Sequence, residues 1–358
     1  MAKKPPEGEK GDSMAAKTLT KDQFKKFTQK LVDSGKVVGA KRKEKKFAFG
    51  EILDASELVL DYDVTLSSPR FFFQPPKETL LEFEVGDKTK LSAKFCAEPF
   101  VLLGIHTYDM KALNQMDKIW AADHADEHYL ARRQAATVVA LEPTRASKHS
   151  FWSSMDAATV KEGFDLLLTD IGDKFVVEVG TEKGASLLAK HAPDATDSSK
   201  EDLEAREKAR QKLPSMCAKE REVKAKVSEI TELMKKNYEH PVWKTKAEKC
   251  YGCGSCNLVC PTCYCFDVKD EVELDMKHGC RTRSWDGCLL EGFAHVGSGE
   301  NFREHRHERF RHRLLRKTVF VPEKIGELAC VGCGRCAEVC LPDITDPVDI
   351  INTIKEGN

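Results

Sequence analysis

Residues 250–265 read CYGCGSCNLVCPTCYC, and six of these sixteen residues are cysteine. Cys250, Cys253, Cys256 and Cys260 are spaced C-x2-C-x2-C-x3-C with Pro261 directly behind them; Cys330, Cys333, Cys336 and Cys340 repeat the spacing, with Pro342 one position later. Two such runs are the pattern with which a bacterial ferredoxin fold holds two [4Fe-4S] cubes, three cysteines of each run joining the fourth of the other. The chemistry explains the spacing: a small cube needs thiolates around its corners, and a short loop carrying Gly252 and Gly254, or Gly332 and Gly334, can wrap three of them while aiming its amides at sulfur. The pattern predicts one cube on Cys250, Cys253, Cys256 and Cys340 and a second on Cys330, Cys333, Cys336 and Cys260. Zinc also takes four thiolates, but its sites usually pair two C-x2-C knuckles rather than duplicated triples.

Between the runs lie 69 residues, 261–329, containing Cys263, Cys265, Cys280 and Cys288. Four further thiols are enough for a third [4Fe-4S] cluster, and the competing reading is buried thiols beside the first two. The insert closes on NFREHRHERFRHRLLRK, Asn301 to Lys317, where seven Lys or Arg face two Glu from Arg303 onward. Phe302, Arg306, Phe310 and Leu314 fall four apart, as on one face of a helix. Nucleic-acid binding, a solvated basic face and cations set beside negatively charged cubes are the three readings. We favour the third, with Arg303, Arg306, Arg309 and Arg313 as cofactor-side residues and an acidic partner surface as a further use.

Working outward, only Cys96 and Cys217 of the 14 cysteines precede residue 250, so metal chemistry is expected in a C-terminal domain over 244–358. The chain has 358 residues, 41% hydrophobic and 32% charged, and a net charge of −1. That balance argues against nucleic acid as a main partner, and no apolar run is long enough for a membrane span. The first 17 residues read as a disordered tail without the apolar core of a secretory signal. A cytoplasmic setting, where thiols stay reduced, makes metal a better expectation than disulfides.

The fold class expected is α+β. A mixed α/β domain spans 18–197, a charged helical linker 198–243, and a ferredoxin-like domain with its insert the remainder. FVLLGIH (Phe100 to His106) and ATVVALE (Ala136 to Glu142) read as buried strands, and FDLLLTDIGDKFVVEVG (Phe164 to Gly180) as two strands joined at Ile171, Gly172 and Asp173. Met110, Leu113 and Met116 carry helical spacing between them. The segment 198–238 reads as two amphipathic helices interrupted at Pro214. No P-loop, dinucleotide loop or haem motif is present, and no catalytic constellation emerges. The chemistry predicted is movement of electrons.

Four motifs carry a family resemblance: CYGCGSCNLVCPTCYCFDV, RTRSWDGCLLEGFAHVGSGENFR, RHRLLRK and CVGCGRCAEVC. With SSPRFFFQPPKETLLEF, LGIHTYDMKALNQMD and YLARRQ, they make residues 66–346 similar to the β subunit of cytosolic sulfhydrogenase-type nickel–iron hydrogenases and the related A subunit of anaerobic sulfite reductase. The resemblance implies an electron wire in an anaerobic complex, placed between a flavin-containing subunit that reacts with NAD(P)H and a catalytic hydrogenase, sulfite reductase or heterodisulfide-reductase-like subunit. The competing expectation is a sulfur-species reductase acting at an open cluster of the insert.

Overall fold

The computed structural model describes residues 16–357. The expected tail lies outside the described residues except for Ala16 and Lys17, which already belong to the first strand.

Eight strands form the main sheet: β1 (Ala16–Thr20), β2 (Val37–Lys43), β3 (Lys46–Glu51), β6 (Phe100–His106), β7 (Ala136–Leu141), β8 (Leu166–Asp170), β9 (Lys174–Val179) and β10 (Thr196–Asp197). Their order is β10-β1-β9-β8-β7-β6-β2-β3. The centre is parallel, with Val37 opposite Val101, Phe100 opposite Ala136 and Val139 opposite Leu166; the flanks are antiparallel. Continuous burial of β7 follows from this position, because a parallel strand is covered on both faces. Phe24, Phe27 and Leu31 of helix Lys21–Ser34 cover one face against Leu103, Val139 and Val177. Met110, Leu113, Met116 and Trp120 of helix Thr107–Ala121 cover the other, against Leu102, Val138 and Leu167. The strands, hairpin and helix read from the sequence all form, and Gly172 supplies the positive φ of the β8–β9 turn.

The boundary between halves is less simple than expected. A second sheet, ordered β11-β12-β4-β5, takes β4 (Lys77–Glu84) and β5 (Lys90–Ala93) from the N-terminal half and β11 (Phe266–Val272) and β12 (His278–Trp285) from the insert. Arg283 on β12 donates to Glu78 on β4 at 2.7 and 2.9 Å, and Glu78 also accepts from Arg132 at 2.5 Å. Trp120 stacks on Phe266 with centroids 5.8 Å apart. The insert is therefore a strap onto the α/β domain. In 198–243 the two expected helices form, Lys200–Lys212 and Val227–Lys236, and Ile230, Met234 and Trp243 enter one core with Phe151, Trp152, Phe310 and Ile351. Among the described residues no helix is long and apolar enough to cross a membrane.

Candidate metal centre

The two cysteine runs fold alike. In each, two glycines take left-handed backbone, with φ of 68° and 72° at Gly252 and Gly254 and of 68° and 79° at Gly332 and Gly334. One helical turn follows each loop, Ser255–Leu258 and Arg335–Glu338. Cys250, Cys253, Cys256 and Cys340 line one cavity. Cys260, Cys330, Cys333 and Cys336 line another, together with Arg313 and Lys317. In both, the fourth thiol comes from the opposite run.

The cavities differ in depth. Cys253 of the first is exposed, rimmed by Tyr251 and Leu341 at 71% and 89% exposure. The second lies inward: an added Cβ at Gly332 would meet the Trp152 backbone nitrogen at 2.5 Å, and one at Gly334 the His149 carbonyl at 2.5 Å, whereas Gly252 has open space. We refer to them as the outer and inner sites.

The electrostatics vary from thiol to thiol within each site. Burial pushes the Cys256 thiol up to about 12, against the pull of Arg313, and burial likewise takes Cys333 to about 12 against Arg335. Burial also disfavours the Cys260 thiolate, but Lys317 and Arg313 outweigh it and hold its pKa below the usual thiol range. At the rim, the Ser255 hydroxyl and amide draw Cys253 down. All fourteen cysteines are free thiols, and amides already face sulfur: Gly252 N–H donates to Cys250 Sγ at 3.4 Å and Ile344 N–H to Cys340 Sγ at 3.5 Å. Clustered thiols with amide donors and nearby cations fit the charge of a thiolate-held iron–sulfur core.

The insert brings together three of its four cysteines. Cys263, Cys265 and Cys288 form a buried group with Cys260 packed against it. Interaction of the Cys265 thiol with the other two sulfurs raises its own pKa and helps lower theirs, that of Cys288 to about 7. Cys280 is a correction to the expected set. It sits on β12 opposite Glu271 and Glu82, while Asp286, six residues on, donates its N–H to the Cys265 carbonyl at 3.2 Å. An extended strand of that length covers roughly 20 Å, so Cys280 cannot join the group.

The basic stretch also divides. Helix Arg306–Leu315 buries Arg309, Arg311 and Arg313. Arg313 donates to the Cys256 carbonyl at 3.0 Å and faces Cys256, Cys336, Cys260 and Cys288. Arg306 is exposed but within electrostatic reach of Cys250. Arg309 departs from expectation: it donates to the Arg303 and Glu304 carbonyls at 3.0 and 2.5 Å, so its hydrogen bonds serve the turn before the helix. Arg303 lies beside His312. Phe302 is exposed, because the helix begins only at Arg306.

Sequence reasoning missed four residues around the sulfurs. Lys317 donates to the Thr262 carbonyl at 2.6 Å. Arg335, between Cys333 and Cys336, is buried in a bidentate pair with Asp109 at 2.6 and 2.7 Å. Arg70 donates to the Cys263 carbonyl and lies 3.8 Å over the Trp285 ring. Asn257 touches the insert thiols. Arg335 and Asn257 adjoin motif cysteines, which was a usable signal; Arg70 carries none.

A duplicated loop with paired four-thiol cavities defines an iron–sulfur protein, and the family described as 4Fe-4S dicluster domain matches residues 249–344. The similarity then extends through the whole chain, which is 32% identical over 339 residues to sulfhydrogenase 2 subunit beta of Pyrococcus furiosus, covering 95% of this chain and 98% of that one. This chain belongs to the sulfhydrogenase beta-subunit family and is an iron–sulfur electron-transfer subunit.

Proposed function

We propose that this chain relays electrons in the cytoplasm between a flavin-containing, NAD(P)H-linked subunit and a hydrogenase-type catalytic subunit, with sulfite reductase or heterodisulfide-reductase-like subunits as the other candidate partners. The relative's name, a sulfhydrogenase subunit, favours the hydrogenase-type partner. The observation that carries the relay is the pair of four-thiol cavities, one opening at Cys253 and one deep in the molecule. In this reading Cys250, Cys253, Cys256 and Cys340 hold the outer [4Fe-4S] cluster and Cys330, Cys333, Cys336 and Cys260 the inner one. Such clusters take up and release single electrons without rearranging bonds. The protein's part is spacing, burial and charge: Arg313 and Lys317 supply fixed cations at the inner site, Arg335 sits beside Cys333 as half of an ion pair with Asp109, and Tyr251 and Leu341 present a partly apolar rim to a partner.

We further assign Cys263, Cys265 and Cys288 to a third cluster. Three thiols leave one position without cysteine, which is what a sulfur-reducing site would need. Their burial opposes exchange with a substrate, so the relay reading is preferred.

The test is iron and acid-labile sulfide per chain after anaerobic purification, with EPR of the reduced protein. About twelve of each are expected from three cubes, falling to about eight in Cys288→Ser and unchanged in Cys280→Ser. Zinc in place of iron would overturn the relay; about eight irons in the unaltered protein would remove the third cluster alone.

A further inference from the structure

Asn257 follows Cys256 directly, and the helical turn Ser255–Leu258 carries its side chain inward, where it is 3% exposed. Its carboxamide spans the space between two groups of sulfur. Oδ1 lies 3.9 Å from Cys256 Sγ of the outer site. Nδ2 donates to Cys288 Sγ at 3.3 Å and reaches Cys263 Sγ at 4.0 Å. Gly287, beside Cys288, packs so closely that a Cβ there would stand 3.2 Å from the Asn257 Cβ, which holds the amide in place from the far side.

We propose that Asn257 is a positioning residue set between the insert's cluster and the outer cluster, donating its N–H to the insert thiolates while its carbonyl oxygen lies toward Cys256. This rests on the three-cluster reading above. A hydrogen bond to a ligating sulfur stabilises the more negative, reduced state and so raises a cluster's potential. A carboxamide has opposite polarity at its two ends, so it favours reduction at Cys263 and Cys288 without doing the same at Cys256. The two potentials are thereby set apart across a single side chain. Aspartate would fill the same volume with negative charge and no donor, and leucine would fill it with neither.

Anaerobic redox titrations followed by EPR test this in the full chain with Asn257→Asp and Asn257→Leu, the insert's signal being the one that Cys288→Ser removes. Both variants should keep about twelve irons. The insert midpoint should fall in both, further in Asn257→Asp, while the inner signal stays in place. A full iron complement with an unshifted insert midpoint would overturn this role and leave the three-cluster reading intact. Loss of iron in both variants would make Asn257 a structural residue and also overturn it. About eight irons in the unaltered protein would remove both the third cluster and the role built on it.

Discussion

Arg313 is the cation that faces all three groups of cysteine. It is 5% exposed, held by the Cys256 carbonyl, and lies near Cys336, Cys260 and Cys288 as well. An electron added to a nearby cluster gains from that positive charge, so removing the charge makes reduction harder. Arg313→Gln should therefore lower at least one midpoint by roughly 60 mV, the one-electron equivalent of a tenfold change in equilibrium constant, with iron content retained. Arg309→Gln should leave every midpoint in place, since that guanidinium is held at the Arg303 and Glu304 carbonyls and, unlike Arg313, is not among the charges acting on the cysteines. EPR titration of the two variants side by side checks the distinction; a shift with Arg309→Gln and none with Arg313→Gln would reverse the roles. Both arginines are visible in the sequence, but their roles are not. Helical periodicity gives the face on which a side chain lies, whereas its partners are contributed by segments distant in the chain.

At the scale of the element, helix Arg306–Leu315 shows how far periodicity reaches. Phe310 and Leu314 are buried as their spacing requires, and His305 with Glu308 forms the capping box that starts the helix. Periodicity does not predict that the helix also buries His312 in part. Burial first, then Arg303 and Arg316, hold that imidazole down to about 4, against 6.5 in the unfolded chain. Between those two values the unfolded chain binds a proton that the folded one does not. Stability should thus fall as pH drops from about 6.5 toward about 4, and this contribution should level off below. His312→Gln should flatten that part of the profile, read as the thermal unfolding midpoint against pH under anaerobic conditions. Equal slopes for the two proteins would mean that the ring titrates normally in the fold. The second sheet carries a similar lesson: β4 and β12 each look like ordinary strands, but neither sequence says that the other, some two hundred residues away, is its partner.

For the whole molecule, the inner site is where the two halves meet. The buried Arg335–Asp109 pair joins the second cysteine run to helix Thr107–Ala121, and Gly332 and Gly334 lie against the backbone of residues 149–152. Gly252 and Gly332 share the same φ of 68°, so alanine at either carries the same left-handed cost of about 1–2 kcal/mol. Only at Gly332 would the new Cβ also strike backbone. Gly252→Ala should keep its iron, whereas Gly332→Ala should lose about four irons and lower the unfolding midpoint. Equal iron in both variants would mean that the halves can part without cost to the inner site. The duplicated cysteine spacing, the central strands and the class of cofactor were legible in the sequence by itself, because loop geometry, burial and thiolate chemistry act over a few neighbouring residues. The depth of each site, the exclusion of Cys280 from the insert's thiols, and the position of Asn257 between two groups of sulfur were decided only by tertiary structure. Each depends on which distant segments the packed core brings into contact, and local pattern carries no record of that.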